Sequence, residues 1–349
     1  MSHKILFVGA GAVGSYVASF FARAGHDVTV VDSWPEQVET IRQRGVAVSG
    51  PHEPFTARFK TLHVHEAQQL GADFDIGIVA MKSYDTAWAT HLLAPHVKPS
   101  GIVVCAQNCW NDPLVASIAG SERTVGLIMS GISVAMWKPG EVERGAERGS
   151  GHVVFRAGSP DGKSTPHLQA VADLLSLVDA SQTTDNLRGE RWGKLCINAM
   201  GNPVQAMTGL GGRDIAAEPR GREITIRLGS ESARVGLALG HRVVKFGAAT
   251  AEQWADAGRN ADTYRAIDTA LVPKEGSRRN WRSSMAQDVI KGRRTEIEFM
   301  NGFVVAQAKE VGVETPVSAA VVEIVREIDA KRRKPSPDHI EDALKKAGY

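Results

Sequence analysis

Cysteine is scarce in this chain: its 349 residues hold three, Cys105, Cys109 and Cys196. An odd and sparse set excludes a disulfide framework. Cys105 and Cys109 also lack the CxxC spacing of a structural zinc site or a thioredoxin-like pair. Charge of one sign is missing too. The 41 Lys+Arg and 39 Asp+Glu residues leave a formal net charge of only +2, so no broad surface for nucleic acid is expected. No apolar run approaches the ~20 residues that span a bilayer, so no membrane partner is expected either. Met1 to Val8 lead straight into an apolar strand, with no basic segment and no cleavage site, and the protein is expected in the cytoplasm. His63-Val64-His65 has no third ligand at a suggestive spacing, so no metal is expected. The basic run Lys331 to Lys334, followed by Pro335, reads as a helix end rather than a nucleic-acid patch. What remains is a chain long enough for about two domains.

The first half alternates strands and helices. Lys4 to Val8 is a short apolar run that enters Gly9-Ala10-Gly11-Ala12-Val13-Gly14. A helical segment, Ser15 to Ala24, follows, and then a second apolar run, Val28 to Val31, ends at Asp32. Strand, glycine turn, helix, strand and acid form the fingerprint of a dinucleotide site. Gly9 permits the tight turn, Gly11 lets a phosphate approach the backbone, and Gly14 lets helix and strand pack closely. The helix N-terminus offers its N–H groups to a pyrophosphate. Asp32 suits the adenosine ribose hydroxyls and repels a 2′-phosphate. Ser33, Trp34 and Pro35 supply no arginine, so NAD is expected over NADP.

Further apolar strands run from Asp75 to Ala80, Gly101 to Ala106 and Thr124 to Ser130. Ligands in such sheets bind beyond the carboxyl ends of the strands, which is where Lys82 and Asn108 fall. Residues 133–160 read as antiparallel strands with glycine-rich connections, Val153 to Phe155 being an edge. From Asn186 onward strand patterns fade. Helices are expected near 187–207, 218–239, 249–270, 280–291, 294–312 and 316–331, with Gly240 and Gly312 as C-terminal stops. This gives an α/β chain: a Rossmann-type doubly wound domain over 1–185 and an all-helical domain over 186–349.

The helical half opens on its most informative feature. Lys194, Asn198 and Asn202 recur at four-residue intervals, which puts one ammonium and two carboxamides on one helix face. Such a stripe is costly to bury without a polar ligand, and it suits a small oxyanion such as a 2-oxo acid. Hydride arriving at a 2-oxo carbon builds charge on oxygen, and a positioned ammonium can stabilise that charge and donate the proton. Glu296, in a helix that mixes acids with core residues, is the carboxylate expected to face Lys194 and keep it charged. Ser283 and Ser284 precede Met285, and at least one of them is expected to cap a helix.

These pieces together resemble the ketopantoate reductase (2-dehydropantoate 2-reductase) family over nearly the whole chain. The carriers are Gly9 to Gly14, Met81-Lys82, Gln107-Asn108, Arg191-Trp-Gly-Lys194 through Asn202-Pro203, and Ser283 to Asp288 with Thr295-Glu296-Ile. The resemblance implies a helical domain of the 6-phosphogluconate dehydrogenase type and a homodimer. It implies Lys194 as the catalytic lysine with Glu296 as its acidic partner. Asn198, Asn202 and Ser284 would hold substrate oxygens, and Lys82 and Asn108 would lie beside the nicotinamide. Three features depart from the pattern. Asp32 and Ser33 stand where an NADP enzyme wants arginine. Cys109-Trp110 follows Asn108 where glycine is usual. The segment Gly247 to Gly276, with Trp254 and Tyr264, is longer and is expected to reshape the pocket. The leading reading is an NAD-dependent oxidoreductase, with NADP as the alternative cofactor, acting on a small 2-oxo or 2-hydroxy acid. A catabolic dehydrogenase of another hydroxy acid and a non-catalytic dinucleotide sensor are the competing readings.

Overall fold

A computed structural model describes residues 2–149, 151–273 and 280–349. Ser150 of the Gly149-Ser-Gly151 connection and the last three residues of the 247–276 segment lie outside the described residues. The chain divides into two compact units, 1–187 and 188–349.

The first unit contains strands β1 (Lys4–Val8), β2 (Asp27–Asp32), β3 (Val46–Ser49), β4 (Phe55–Ala57), β5 (Lys60–His63), β6 (Phe74–Val79), β7 (Val97–Cys105), β8 (Thr124–Met129), β9 (Val134–Lys138), β10 (Glu141–Arg144), β11 (Phe155–Gly158) and β12 (Ser181–Thr184). Its helices are α1 (Ala12–Arg23), α2 (Pro35–Arg44), α3 (Thr86–Leu93), α4 (Asp112–Ala119) and α5 (Pro166–Ser176). The main sheet runs β12-β11-β8-β7-β6-β1-β2-β5, and every pair from β8 to β5 is parallel. A second sheet runs β4-β3-β10-β9, and its Val46, Val48, Met136 and Val142 share one core with the main sheet.

A parallel sheet is covered on both faces, so its strands read as continuous apolar runs rather than alternating ones. The period of two then sends neighbours to opposite layers. Ile5, Phe7, Ile76, Ile78 and Val104 pack with Tyr16, Phe20 and Phe21 of α1 and with Val171 and Leu175 of α5. Leu6, Val8, Val79 and Val103 pack with Ala89 and Leu93 of α3 and with Val115 of α4. A buried ion pair, Arg144 with Asp179, ties β10 to the turn after α5. The Val153 to Phe155 edge is corrected: the strand starts at Phe155 and lies between antiparallel β8 and parallel β12. The outer strand is β12, whose sequence Ser-Gln-Thr-Thr carries no apolar signal.

The second unit is helical: α6 (Leu187–Thr208, which begins at the last residue of the first unit), α7 (Gly212–Ala217), α8 (Pro219–Ala238), α9 (Ala251–Asp256), α10 (Ala261–Leu271), α11 (Ser284–Ile290), α12 (Asn301–Glu310), α13 (Pro316–Asp329) and α14 (His339–Lys346). Gly240 and Gly312 take φ of +76° and +64° just past their helices, the left-handed stop that glycine adopts without strain. The expected 249–270 helix is two, because the Asn260 side chain accepts the N–H groups of Asp262 and Thr263 and starts a new helix. The expected 294–312 helix begins as a single 3₁₀ turn, Ile297–Phe299, and breaks at Met300 (φ −109°, ψ −94°). Glu231 of α8 is 3% exposed and accepts the Val317 and Ser318 N–H groups at 2.8 Å each, capping the start of α13. Among the described residues no helix is long and apolar enough to cross a membrane.

Candidate active site

The dinucleotide half is built at the carboxyl ends of β1, β2, β6 and β7, around the point where the strand order reverses. Gly9 follows β1 with φ +118°, and a Cβ there would stand 2.7 Å from the Ala80 carbonyl carbon and oxygen. A Cβ on Gly14 would stand 2.1 Å from the Gly9 carbonyl oxygen, so helix and turn pack backbone to backbone. Gly11 is different: a Cβ there would meet nothing within 4 Å. That open space lies at the start of α1, which has no side-chain cap and no acid in its first turn. An anion is what such a helix start lacks, so the turn from Gly9 through Ala10, Gly11, Ala12, Val13 and Gly14 fits a pyrophosphate.

Asp32 ends β2 and is 7% exposed. Its carboxylate accepts the Ala10 N–H at 2.5 Å and the Trp34 N–H at 2.7 Å, which locks its orientation beside the glycine turn. The Arg42 guanidinium is committed elsewhere: Nε donates to the Thr61 carbonyl at 2.9 Å, and the rest pairs with Glu39 and Glu66. His63 ends β5, its Nε2 is 2.7 Å from Glu39, and its ring stacks on that of His65.

Lys82 and Asn108 stand at the ends of β6 and β7, both half-buried. Two buried amides connect these turns: Gln107, noted in the sequence only beside Asn108, and Asn111, which the sequence did not single out. Gln107 Nε2 donates to the Met81 carbonyl at 2.9 Å and reaches the Lys82 carbonyl at 3.3 Å. Asn111 Nδ2 donates to the Asn108 carbonyl at 2.7 Å and to Ser83 Oγ at 3.0 Å.

In the helical unit the polar stripe lies on α6. Lys194 is half-buried, and desolvation, with the Arg191 charge adding to it, pushes its ammonium from 10.5 down to about 8. Asn198 is 6% exposed, and its buried Nδ2 has no hydrogen-bond partner among the described residues. Asn202, one turn on, is half-buried. Pro203 then interrupts the helix ladder. It has no N–H, so the Ala199 carbonyl loses its partner four residues ahead. Asn301, fully buried, donates Nδ2 to that carbonyl at 3.0 Å. Nothing in the spacing of Asn301 signals this; only the fold shows it.

The serine pair separates into two roles. Ser283 caps α11, its Oγ accepting the Ala286 N–H at 3.3 Å, and its own N–H donates to Gln205 of α6 at 2.9 Å. Its Oγ also stands 3.4 Å from the Asn202 carbonyl, so α11 starts against the Asn202 turn with Ser284 as its first residue. Glu296 is 5% exposed, and its carbonyl accepts the Phe299 N–H at 3.0 Å. It is held through Thr295, whose Oγ1 donates to Asp329 of α13 at 2.7 Å. Among the described residues no ion pair joins Glu296 to Lys194, and the Lys194 ammonium feels no carboxylate. Trp254 is packing rather than pocket wall: it is fully buried, stacks on Phe246 at 5.4 Å, and donates Nε1–H to the Phe246 carbonyl.

A parallel sheet in this order, with a glycine turn, an oriented acid and a separate helical unit bearing a lysine–asparagine stripe, defines a two-domain dinucleotide-dependent oxidoreductase. Residues 5–158 match the family model for "Ketopantoate reductase PanE/ApbA" and residues 186–329 the model for its C-terminal part. The chain belongs to the ketopantoate reductase family and is a ketopantoate reductase-like oxidoreductase. The 2-dehydropantoate 2-reductase of Pyrococcus horikoshii is 26% identical over 324 residues, covering 93% of this chain and 96% of its own. Among solved structures, a PanE/ApbA family ketopantoate reductase from Ralstonia eutropha has a TM-score of 0.75 at 23% identity, covering 95% of this chain and 100% of its own. D-mandelate dehydrogenase with NADH and anilino(oxo)acetate has a TM-score of 0.75 at 18% identity, covering 94% and 98%. The dimeric ketopantoate reductase from Staphylococcus aureus has a TM-score of 0.69 at 18% identity, covering 94% and 99%.

Proposed function

We propose that this enzyme reduces a small 2-oxo acid with NADH, using Lys194 as proton donor. The observation that carries the reading is the α6 stripe: a half-buried ammonium brought to about 8, one turn from a buried carboxamide donor with no partner among the described residues. When bound, the nicotinamide supplies the hydride. The residues of the chain do the rest. Asn198, Asn202 and Ser284 hold the substrate oxygens. Lys194 Nζ stabilises the charge that grows on the 2-oxo oxygen and gives it a proton, leaving a neutral amine that solvent reprotonates. Lys82 and Asn108 receive the nicotinamide end of the cofactor; Glu296, the expected acidic partner of the lysine, makes no ion pair with it among the described residues, and no proton step is routed through it.

The preference for NADH rests on Asp32, oriented at the ribose end of the turn, and on Arg42, which is already paired with two glutamates. The D-mandelate dehydrogenase of the same fold was solved with NADH. We further infer a cytoplasmic homodimer, like the dimeric relative from Staphylococcus aureus. Trp110, half-buried next to Cys109, puts an indole two residues past Asn108. One methylene in a pocket changes selectivity by only ~1–3 kcal/mol, so an indole suffices to reorder substrates, and ketopantoate is not expected to rank first. Absorbance decay of NADH with a panel of 2-oxo acids, ketopantoate among them, tests the reading. Turnover of at least one acid, with NADH preferred over NADPH, is the expected result; no turnover with any of them leaves a sensor as the better account.

A further inference from the structure

The nicotinamide end of the proposed cofactor site contains a backbone conformation that its own residue does not favour. Cys109, directly after Asn108, has φ +66°, in the left-handed region that glycine adopts freely and a residue with a Cβ rarely does. Such a conformation persists only where its surroundings over-determine it. Cys109 is 2% exposed and Asn111 is 4% exposed, so the turn is buried. The Asn111 side chain reaches back across the turn. Its two Nδ2 hydrogens have two acceptors, the Asn108 carbonyl at 2.7 Å and Ser83 Oγ at 3.0 Å. The first bond fixes the peptide that joins Asn108 to Cys109. The second ties that peptide to the residue after Lys82.

We infer that Asn111 is a positioning residue for cofactor binding. It holds the Asn108–Cys109 peptide in the left-handed turn that a glycine would adopt unaided, and so sets where Asn108 stands relative to Lys82. Gln107, 3% exposed, reinforces the same junction through the Met81 and Lys82 carbonyls. This inference rests on the reading of Asn108 as a neighbour of the nicotinamide.

A double-mutant cycle of Asn111→Ala and Cys109→Gly tests it, with NADH affinity read by energy transfer from tryptophan to the bound nicotinamide and stability read as Tm without cofactor. Asn111→Ala alone should weaken NADH binding about ten-fold while kcat and the KM for the 2-oxo acid stay within about two-fold, a split that general loosening would not give. In the Cys109→Gly background the same substitution should cost less than about three-fold, because glycine needs no clamp. Equal losses in the two backgrounds, or no loss in the wild-type background, overturn the inference. Asn111→Asp, which keeps the volume and removes both donors, gives the same comparison if the alanine variant does not fold. Asn108→Ala separates the two levels. If it leaves NADH binding unchanged, the reading of Asn108 has failed. The Tm cycle then decides the clamp itself: coupling between positions 109 and 111 sustains it, and additivity overturns it.

Discussion

The lowered ammonium of Lys194 makes a prediction whose sign depends on the direction of the reaction. Burial disfavours the charged form and the Arg191 charge adds to this, which together bring the side chain from 10.5 to about 8. At pH 7 such a group is still ~90% protonated, and at pH 9 only ~10%. Reduction needs the ammonium as proton donor, so its rate should fall about ten-fold between pH 7 and pH 9. Oxidation of the hydroxy acid needs the neutral amine as acceptor, so its rate should rise over the same window. A group at the usual lysine value would leave the reduction profile flat until about pH 10 and let oxidation climb about ten-fold per pH unit across the whole range without levelling off. The assay is kcat for reduction with saturating NADH, and for oxidation with saturating NAD, from pH 6 to 10. Replacing Arg191 by glutamine should move both midpoints upward, since one of the two depressing effects is removed. A flat reduction profile through about pH 9.5 would refute the lowered ammonium, and two profiles moving in the same direction would refute Lys194 as the group that transfers the proton.

Two further outcomes follow from other parts of the site. Asp32→Ala removes the acid beside the glycine turn and should narrow the preference for NADH over NADPH roughly ten- to hundred-fold, the worth of a charged hydrogen bond; an unchanged ratio of kcat/KM would mean that Asp32 serves only the Ala10 and Trp34 N–H groups. Asn301→Ala leaves the Ala199 carbonyl unpaired at the proline break and should cost about 1–3 kcal/mol in urea unfolding, with a raised KM for the 2-oxo acid because the lysine–asparagine stripe shifts; an unchanged midpoint would show that the freed carbonyl finds another partner.

The first unit was legible because its physics is local. Parallel strands covered on both faces leave apolar runs, and the turn between β1 and α1 needs glycine where backbone meets backbone. β12 was not legible, since a polar strand at the sheet margin has neither signature. In the second unit the stripe of Lys194, Asn198 and Asn202 was visible through its helical period. The breaks near Asn260 and Met300 were not visible, because the apolar pattern continues across them. Spacing also cannot say what faces a side chain from another element. That is why the hydrogen bonds of Gln107, Asn111 and Asn301 escaped notice, and why the expectation that Glu296 faces Lys194 had no spacing behind it. The packing of Trp254 against Phe246 likewise depends on the fold and shows that a long segment with large rings need not line a pocket.

The most direct test of the account is turnover by Lys194→Ala alongside its affinity for NADH. Loss of proton donor and oxyanion partner together should lower kcat by roughly 10²–10⁴, while NADH binding and the unfolding midpoint stay close to wild type. A variant that keeps near-wild-type kcat, or one that loses NADH binding as completely as turnover, would contradict the assignment of Lys194 as the proton donor.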